Sequence, residues 1–293
     1  LIIDATGDAD IAALAGAPCV LGRSSDGKVQ AMTYIFRLGG VKVEPIKAYY
    51  LEHADEFYTP AVPVDSKNLP FTGVSGFFKH WKNAPASIPR DRFLFFVGPR
   101  AGEITVNTTR ILSTDPTRAD QITQAEITGR KQAELLTTFM KENLPGFENS
   151  FLLETPTQIG VRESRRIAGQ FQLSETDIIN STSFRDGIAR CGYPIDIHMP
   201  DNAKMTLVDF KGSYEIPYRV MLPQNINNLL VTGRAVSSSH DAFASLRVTA
   251  PVMALGQAAG SAAALCIKTN TGPADVEIDT LRSLLIQANR STS

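Results

Sequence analysis

A hydrophobic strand that runs into a glycine turn, a polar loop and then a helix of small residues constrains this chain more than any other segment. It reads NLLVTGRAVSSSHDAFASLRVTAPVMALGQAAGSAAAL, residues 228–265. A helix starting at Pro251 offers unpaired backbone N–H groups and the positive end of the helix dipole, which suit a developing negative charge. Its face of Gly256, Ala259, Gly260 and Ala263 lets a backbone or a flat ligand come close. The same pattern also describes a helix packed on a sheet with no ligand. The opening segment, LIIDATGDADIAALAG, repeats the order. Residues 1–5 read as a buried strand, Gly7 as the turn, and 8–16 as a short helix with acids in its first turn and a closing glycine.

Between these ends the pattern changes. The loosely alternating QAMTYIFRL (30–38) predicts a strand and 45–58 a helix, while 59–91 is rich in proline and predicts irregular structure or a flap. FLFFVG (93–98) and EITVN (103–107) read as strands around a turn. Residues 118–144 predict the longest helix, with Ile122, Leu135, Leu136, Phe139 and Met140 as its apolar stripe and Gly129 weakening its middle. Ser174 to Asp177 resembles a capping box. MTLVDF (205–210), YRVML (218–222) and NLLVTG (228–233) predict strands, 251–267 a helix and 278–288 a final amphipathic helix. The ends therefore have α/β character and the middle α+β character, as for an insertion inside a nucleotide-binding domain.

Of the 293 residues 43% are hydrophobic and the net charge is −1 with no long run of either sign, so the chain can bury a full core and nothing in its charge points to nucleic acid. Cys19, Cys191 and Cys266 are widely separated, with no metal-ligand spacing, and predict no metal site. Their sparse, odd number points to a reducing, cytoplasmic compartment. The apolar run 248–267 is long enough to span a membrane, but its Gly, Ala and Ser content, Pro251 and Gln257 predict a packed helix and no membrane insertion.

Five segments in this order carry a resemblance: IDATGDADIAALAGAP at the start, GVRESRRIAGQFQLSETDI (160–178), YPIDIH (193–198), IPYRVMLP (216–223) and the C-terminal stretch. Together they resemble the FAD-dependent oxidoreductase family that includes the heterodisulfide reductase A-like proteins, within the glutathione-reductase-like flavoproteins. The resemblance implies an FAD/NAD(P)-binding three-layer α/β fold with an α+β insertion. It divides the chain into 1–30 (part of the FAD-binding domain), 31–220 (inserted substrate or cap domain), 221–270 (return to the FAD-binding domain) and 271–293 (C-terminal helix). In that family a GxGxxG fingerprint lies upstream of the ATG segment. No GxGxxG occurs here, so the expectation is a C-terminal portion of a longer flavoprotein. The strand at residues 1–5 would then expose an unpaired edge and favour association.

The resemblance also implies residue roles. Thr6 and Gly7 should lie beside the FAD. Gly233 falls where relatives place a Gly-acid pair that bonds the ribitol, with Arg234 standing here in place of the acid. The helix start at Ala250, Pro251, Val252 and Met253 should face flavin N1 and the C2 carbonyl. Arg247, His240 and His198 are the catalytic candidates, for binding a substrate carboxylate or moving a proton; the alternatives are a salt bridge, a loop histidine and an interdomain histidine. Arg162 and Arg166 would bind an anionic substrate or a flavin phosphate, unless they pair with acids such as Glu163, Glu175 and Asp177. Trp81, Phe77 and Phe78 read as a stacking lid or as core. The expected activity is hydride transfer between an organic substrate and flavin N5. The alternative is a non-catalytic component of an electron-transfer complex, or a piece unable to hold FAD alone. A homo-oligomer or an electron-transfer partner is the expected association.

Overall fold

The computed structural model describes residues 1–58 and 72–290. In chain order it begins with β1 (Ile2–Asp4), α1 (Asp10–Leu14), β2 (Cys19–Leu21), β3 (Phe36–Gly39) and α2 (Val43–Glu52). Then come β4 (Gly73–Gly76), α3 (Phe78–Trp81), β5 (Phe93–Val97), β6 (Ile104–Val106), α4 (Ala119–Asn143) and β7 (Phe151–Glu154). These are followed by β8 (Arg165–Ile167), α5 (Glu175–Ile179), β9 (Gly187–Cys191), β10 (Ile195–His198) and β11 (Met205–Val208). The chain closes with β12 (Tyr214–Pro217), β13 (Leu229–Val231), α6 (His240–Leu246), α7 (Thr249–Thr269) and α8 (Ile278–Arg290).

These elements fall into two compact units. Leu1–Gln30, Arg162–His198 and Met205–Ser293 form the first, and Ala31–Val161 with Met199–Lys204 the second. The sequence pattern carries the insertion to residue 220, whereas 162–198 and 205–220 belong to the first unit. The physical reason is pairing and packing within that unit. β8 joins β2 in antiparallel register, Cys19 opposite Ile167, and β9 pairs with β12 and packs under α7.

In the first unit β1 and β13 pair in parallel, Ile2 opposite Leu229 and Asp4 opposite Val231. Ala9, Ala12, Ile167, Leu229, Val231 and Ala235 close a small core around them. β13 is buried throughout, as a short apolar run in a parallel pair predicts, whereas β1 is not the buried strand expected over 1–5: of its residues only Asp4 is buried, because β13 is its one paired neighbour among the described residues. Leu1, Ile2 and Ile3 keep their outer sides exposed. Ser174 and Asp177 form the expected capping box of α5. α7 is long and apolar enough to cross a membrane by length and composition. It buries Leu255, Ala258, Ala259, Ala262 and Cys266, packs on β9 and α8, and leaves Met253, Gly256 and Gly260 exposed. The expected strand over 218–222 is instead a 3-10 turn, Tyr218–Met221, and the strand is β12 just before it. Glu215 in the middle of β12 hides that strand; its carboxylate is occupied by Arg190 and by the Phe184 N–H.

The second unit is an antiparallel sheet in the order β4-β5-β6-β3-β7. Phe36, Leu38, Phe93, Phe95, Ile104 and Val106 fill its core together with Leu136 and Met140 of α4. The predicted strand 30–38 is shorter than expected, with bridges only at Met32 and Thr33 before β3 begins. Of the expected flap, residues 59–71 lie outside the described residues, and 73–81 form β4 and α3. Phe77 is fully buried and stacks on Tyr49 at 5.4 Å, while Trp81 packs edge-on against Phe93 at 4.7 Å. These rings belong to the core rather than to a lid.

Gly129, a weak point of α4 by helix propensity, has a packing reason. A Cβ there would come within 2.7 Å of Tyr34 Cβ and Cγ. Gly129→Ala therefore lowers stability: overpacking costs about 1–3 kcal/mol and outweighs the roughly 0.5–1 kcal/mol that alanine brings to a helix. Thermal unfolding checks this, and a raised midpoint would contradict it.

Candidate functional site

The parallel register of β1 and β13 brings the ends of both strands side by side, with Thr232 N donating to Asp4 O at 2.9 Å. Ligands of parallel sheets gather at such carboxyl ends. The Asp4 carboxylate, 1% exposed, builds the first turn. Oδ1 accepts from the Thr6 N–H at 3.0 Å and from its hydroxyl at 2.7 Å, and Oδ2 accepts from Ala12 N at 2.8 Å. Gly7 follows at φ +84°, and a Cβ there would meet the Arg234 guanidinium at 3.1 Å. Arg234 donates to Asp8 Oδ1 at 2.7 Å. Thr6, Gly7, Gly233 and Arg234 are therefore one cluster, with Asp8 as the acid beside the arginine. Gly233 sits at φ +78°, and among the described residues nothing lies within 4 Å of a would-be Cβ. Beside it, Thr232 Oγ1 and Arg234 Nε are buried without a hydrogen-bond partner among the described residues.

α7 starts at Thr249, two residues earlier than expected, so Pro251 is its third residue. Thr249 and Ala250 are exposed in the first turn, where unpaired N–H groups and the dipole end coincide. Pro251 is buried and has no N–H, Val252 N bonds Val248 O at 3.3 Å, and Met253 is 69% exposed. Of the four residues expected to face a cofactor, Ala250 offers a free donor. Thr249, outside the expected helix start, offers the other.

Arg247 and His198 meet through Asp196, a residue of the YPIDIH segment for which the sequence suggests no role. Asp196 Oδ2 lies 3.2 Å from His198 Nε2 and 3.7 Å from Arg247 Nη2, and Arg247 Nη2 also donates to Asp196 O at 3.3 Å. Tyr193 OH reaches the same carboxylate at 3.4 Å. Burial pushes the Asp196 carboxyl up, but His198, Arg247 and Arg162 outweigh it and hold it below its usual range. Burial, with the Arg162 charge behind it, holds the His198 imidazole well below the usual histidine range, so the ring is neutral. Asp196 Oδ1 and Arg247 Nε are buried without hydrogen-bond partners among the described residues. Alternation along β10 places Asp196 and His198 on one face, which is the signal that could have identified Asp196.

Neutral His198 makes stability pH-dependent. Its folded pKa lies below its unfolded value of about 6.5, so below that pH the unfolded chain binds the proton and the folded one does not. Stability falls on acidification, by up to about 1.4 kcal/mol per pH unit from this group. Asp196, Arg162 and Arg247 are the charges that face it. Denaturant titrations from pH 7 to pH 5 should show a steep loss in the wild type and a flatter one in His198→Asn; equal slopes would contradict the assignment.

His240 opens α6, which Ser239 caps by accepting from Ala242 N at 3.1 Å. Its Nδ1 lies 2.9 Å from Oε1 of Glu163, a carboxylate with no exposed surface. Arg166 does not face a ligand. It pairs with Glu163 and donates to Gly22 O at 2.8 Å and Ser238 O at 3.1 Å. Arg162 is half-buried, and its charge acts on Asp196 and His198. A cavity of about 470 Å³ in the same unit is lined by Gln170, Arg185, Asp186, Tyr218 and Arg219 among others, and none of the candidate site residues borders it.

A protein-family model described as FAD dependent oxidoreductase matches residues 1–285. No curated protein and no solved structure matches the chain.

Proposed function

The chain belongs to the FAD dependent oxidoreductase family, an enzyme family with FAD as cofactor and small molecules as substrates, and from that premise we propose where FAD and substrate meet. FAD is held where the carboxyl ends of β1 and β13 adjoin, at Thr6, Gly7, Gly233 and Arg234, and at the start of α7. The observation that carries this reading is the pair of glycine turns brought together by the parallel register, with Thr232 Oγ1 and Arg234 Nε buried and unpartnered beside open space at Gly233. Those donors, and the first-turn N–H groups of Thr249 and Ala250, fit a cofactor rich in hydroxyl, carbonyl and phosphate acceptors.

When bound, FAD supplies the two-electron chemistry, exchanging a hydride with the substrate at flavin N5. The chain's own residues manage charge and protons. Arg247 and Arg162 favour an organic substrate bearing a carboxylate, which a guanidinium binds through paired N–H donors. The neutral His198 ring, oriented by Asp196, offers a hydrogen bond to substrate, while its lowered basicity leaves proton transfer to His240. The ordered motifs shared with the heterodisulfide reductase A-like proteins support a place in that branch of flavoproteins.

Gly233→Val tests the location. At φ +78° a side chain costs about 1–2 kcal/mol in backbone strain, and with no atom within 4 Å it projects into the open space assigned to the cofactor. In flavin fluorescence titrations the variant should bind FAD at least about tenfold more weakly, since 1.4 kcal/mol is a factor of ten. Unchanged affinity would move the cofactor elsewhere.

A further inference from the structure

Glu163 and His240 are held in a way that the family's cofactor chemistry does not by itself require. Both oxygens of the Glu163 carboxylate are used: Oε1 faces Arg166 and, at 2.9 Å, His240 Nδ1, while Oε2 accepts from Gln30 N at 2.8 Å. Arg166 is fixed in turn by two backbone carbonyls and lies over the Phe243 ring, 5.3 Å from its centroid. The carboxylate therefore cannot swing away from the imidazole. The backbone of His240 is pinned too, as the first residue of capped α6. An anionic carboxylate is an acceptor only, so the ring nitrogen facing it must be the one that carries hydrogen. Among the described residues, Nδ1 is the one nitrogen of His240 with a hydrogen-bond partner.

We propose that Glu163 is a positioning residue that locks His240 as the Nδ1–H tautomer, so that Nε2 presents its lone pair as the proton acceptor for substrate. This rests on the function proposed above and adds the residue that sets the direction of the proton. In the oxidation direction the substrate's O–H or N–H bond breaks, its proton passes to Nε2, and the hydride leaves to the bound FAD. The resulting imidazolium keeps its Nδ1–H against the Glu163 carboxylate, which offsets the new positive charge, and the Nε2 proton is then released to water. Reduction runs the same steps backwards. The arrangement follows the general logic of a carboxylate that orients a catalytic histidine, with Arg166 and Gln30 holding the carboxylate.

The test is nitrogen NMR of the full chain labelled with ¹⁵N-histidine, which needs no substrate and reads the tautomer of each of the four histidines. His240→Gln identifies the His240 signals by their loss. The proposal expects a protonated Nδ1 and a bare Nε2 for His240 at neutral pH. It also expects Glu163→Gln to invert that ratio, because the carboxamide can donate to Nδ1. If Glu163→Gln fails to fold, the wild-type spectrum with the His240→Gln assignment still decides. An Nε2–H tautomer in the wild type, or an unchanged ratio in folded Glu163→Gln, overturns the dyad without touching the cofactor location, whose own test is FAD affinity in Gly233→Val.

Discussion

Arg166→Ala destabilises the protein by about 3–5 kcal/mol, because it strips one partner from a buried ion pair and leaves the Glu163 charge without compensation. Glu163 has no exposed surface and Arg166 2%. The lost guanidinium also frees the carbonyls of Gly22 and Ser238, which it bridges at 2.8 and 3.1 Å. Burial lowers the Arg166 pKa while the Glu163 charge works against that shift, as expected for a cation kept in the interior by its partner. At about 2–4 °C per kcal/mol for a chain of this size class, the midpoint should fall by roughly 10 °C. The remaining bonds from His240 and Gln30 N soften the loss but cannot replace a full positive charge. A loss below about 1 kcal/mol would mean that water reaches Glu163, and the rigid carboxylate behind His240 would go with it.

Arg247→Ala slows reduction of bound flavin by substrate by about 10²–10³-fold while leaving flavin content unchanged. The guanidinium is enclosed, tied to Asp196 through one terminal nitrogen, and holds a buried Nε with no hydrogen-bond partner among the described residues. An orphaned donor on a buried cation has a cost that a bound carboxylate would remove. Arg247→Lys should recover little, since an ammonium cannot bond Asp196 and a planar carboxylate together in fork geometry. Stopped-flow reduction of the flavin separates this from a fold defect. Unaltered rates would make Arg247 a tie for Asp196 alone.

The strand–glycine–helix segments are legible in the sequence because their local chemistry is self-contained. Apolar runs of three or four residues end at glycines that adopt positive φ, and α7 declares itself by length and composition. The 3-10 turn Tyr218–Met221 is not legible, since three of its four residues are buried and buried apolar residues in a short run look alike in turn and strand. Nor is the limit of the second unit, because the pairing of β8 with β2 joins segments some 150 positions apart and leaves no local mark. The site divides in the same way. Gly7, Gly233 and the arginines are visible as types of residue at a turn. Asp196 is not, because an acid in a sequence reads as solvent-facing until its partners are known. Glu163 is legible as a partner for the neighbouring arginines, but its bonds to Gln30 and His240 join distant segments and leave no local mark. Arg234 reads in the sequence as a missing acid; the fold sets Asp8 beside it from the other strand's turn.

Amide hydrogen exchange with and without saturating FAD tests, residue by residue, the proposed placement of FAD at the joined ends of β1 and β13 and the start of α7. Added protection is expected over 5–9, 232–236 and 248–253, the two turns and the first helical turn. Protection absent there and confined to the rim of the 470 Å³ cavity, around Arg185, Asp186 and Arg219, would contradict it.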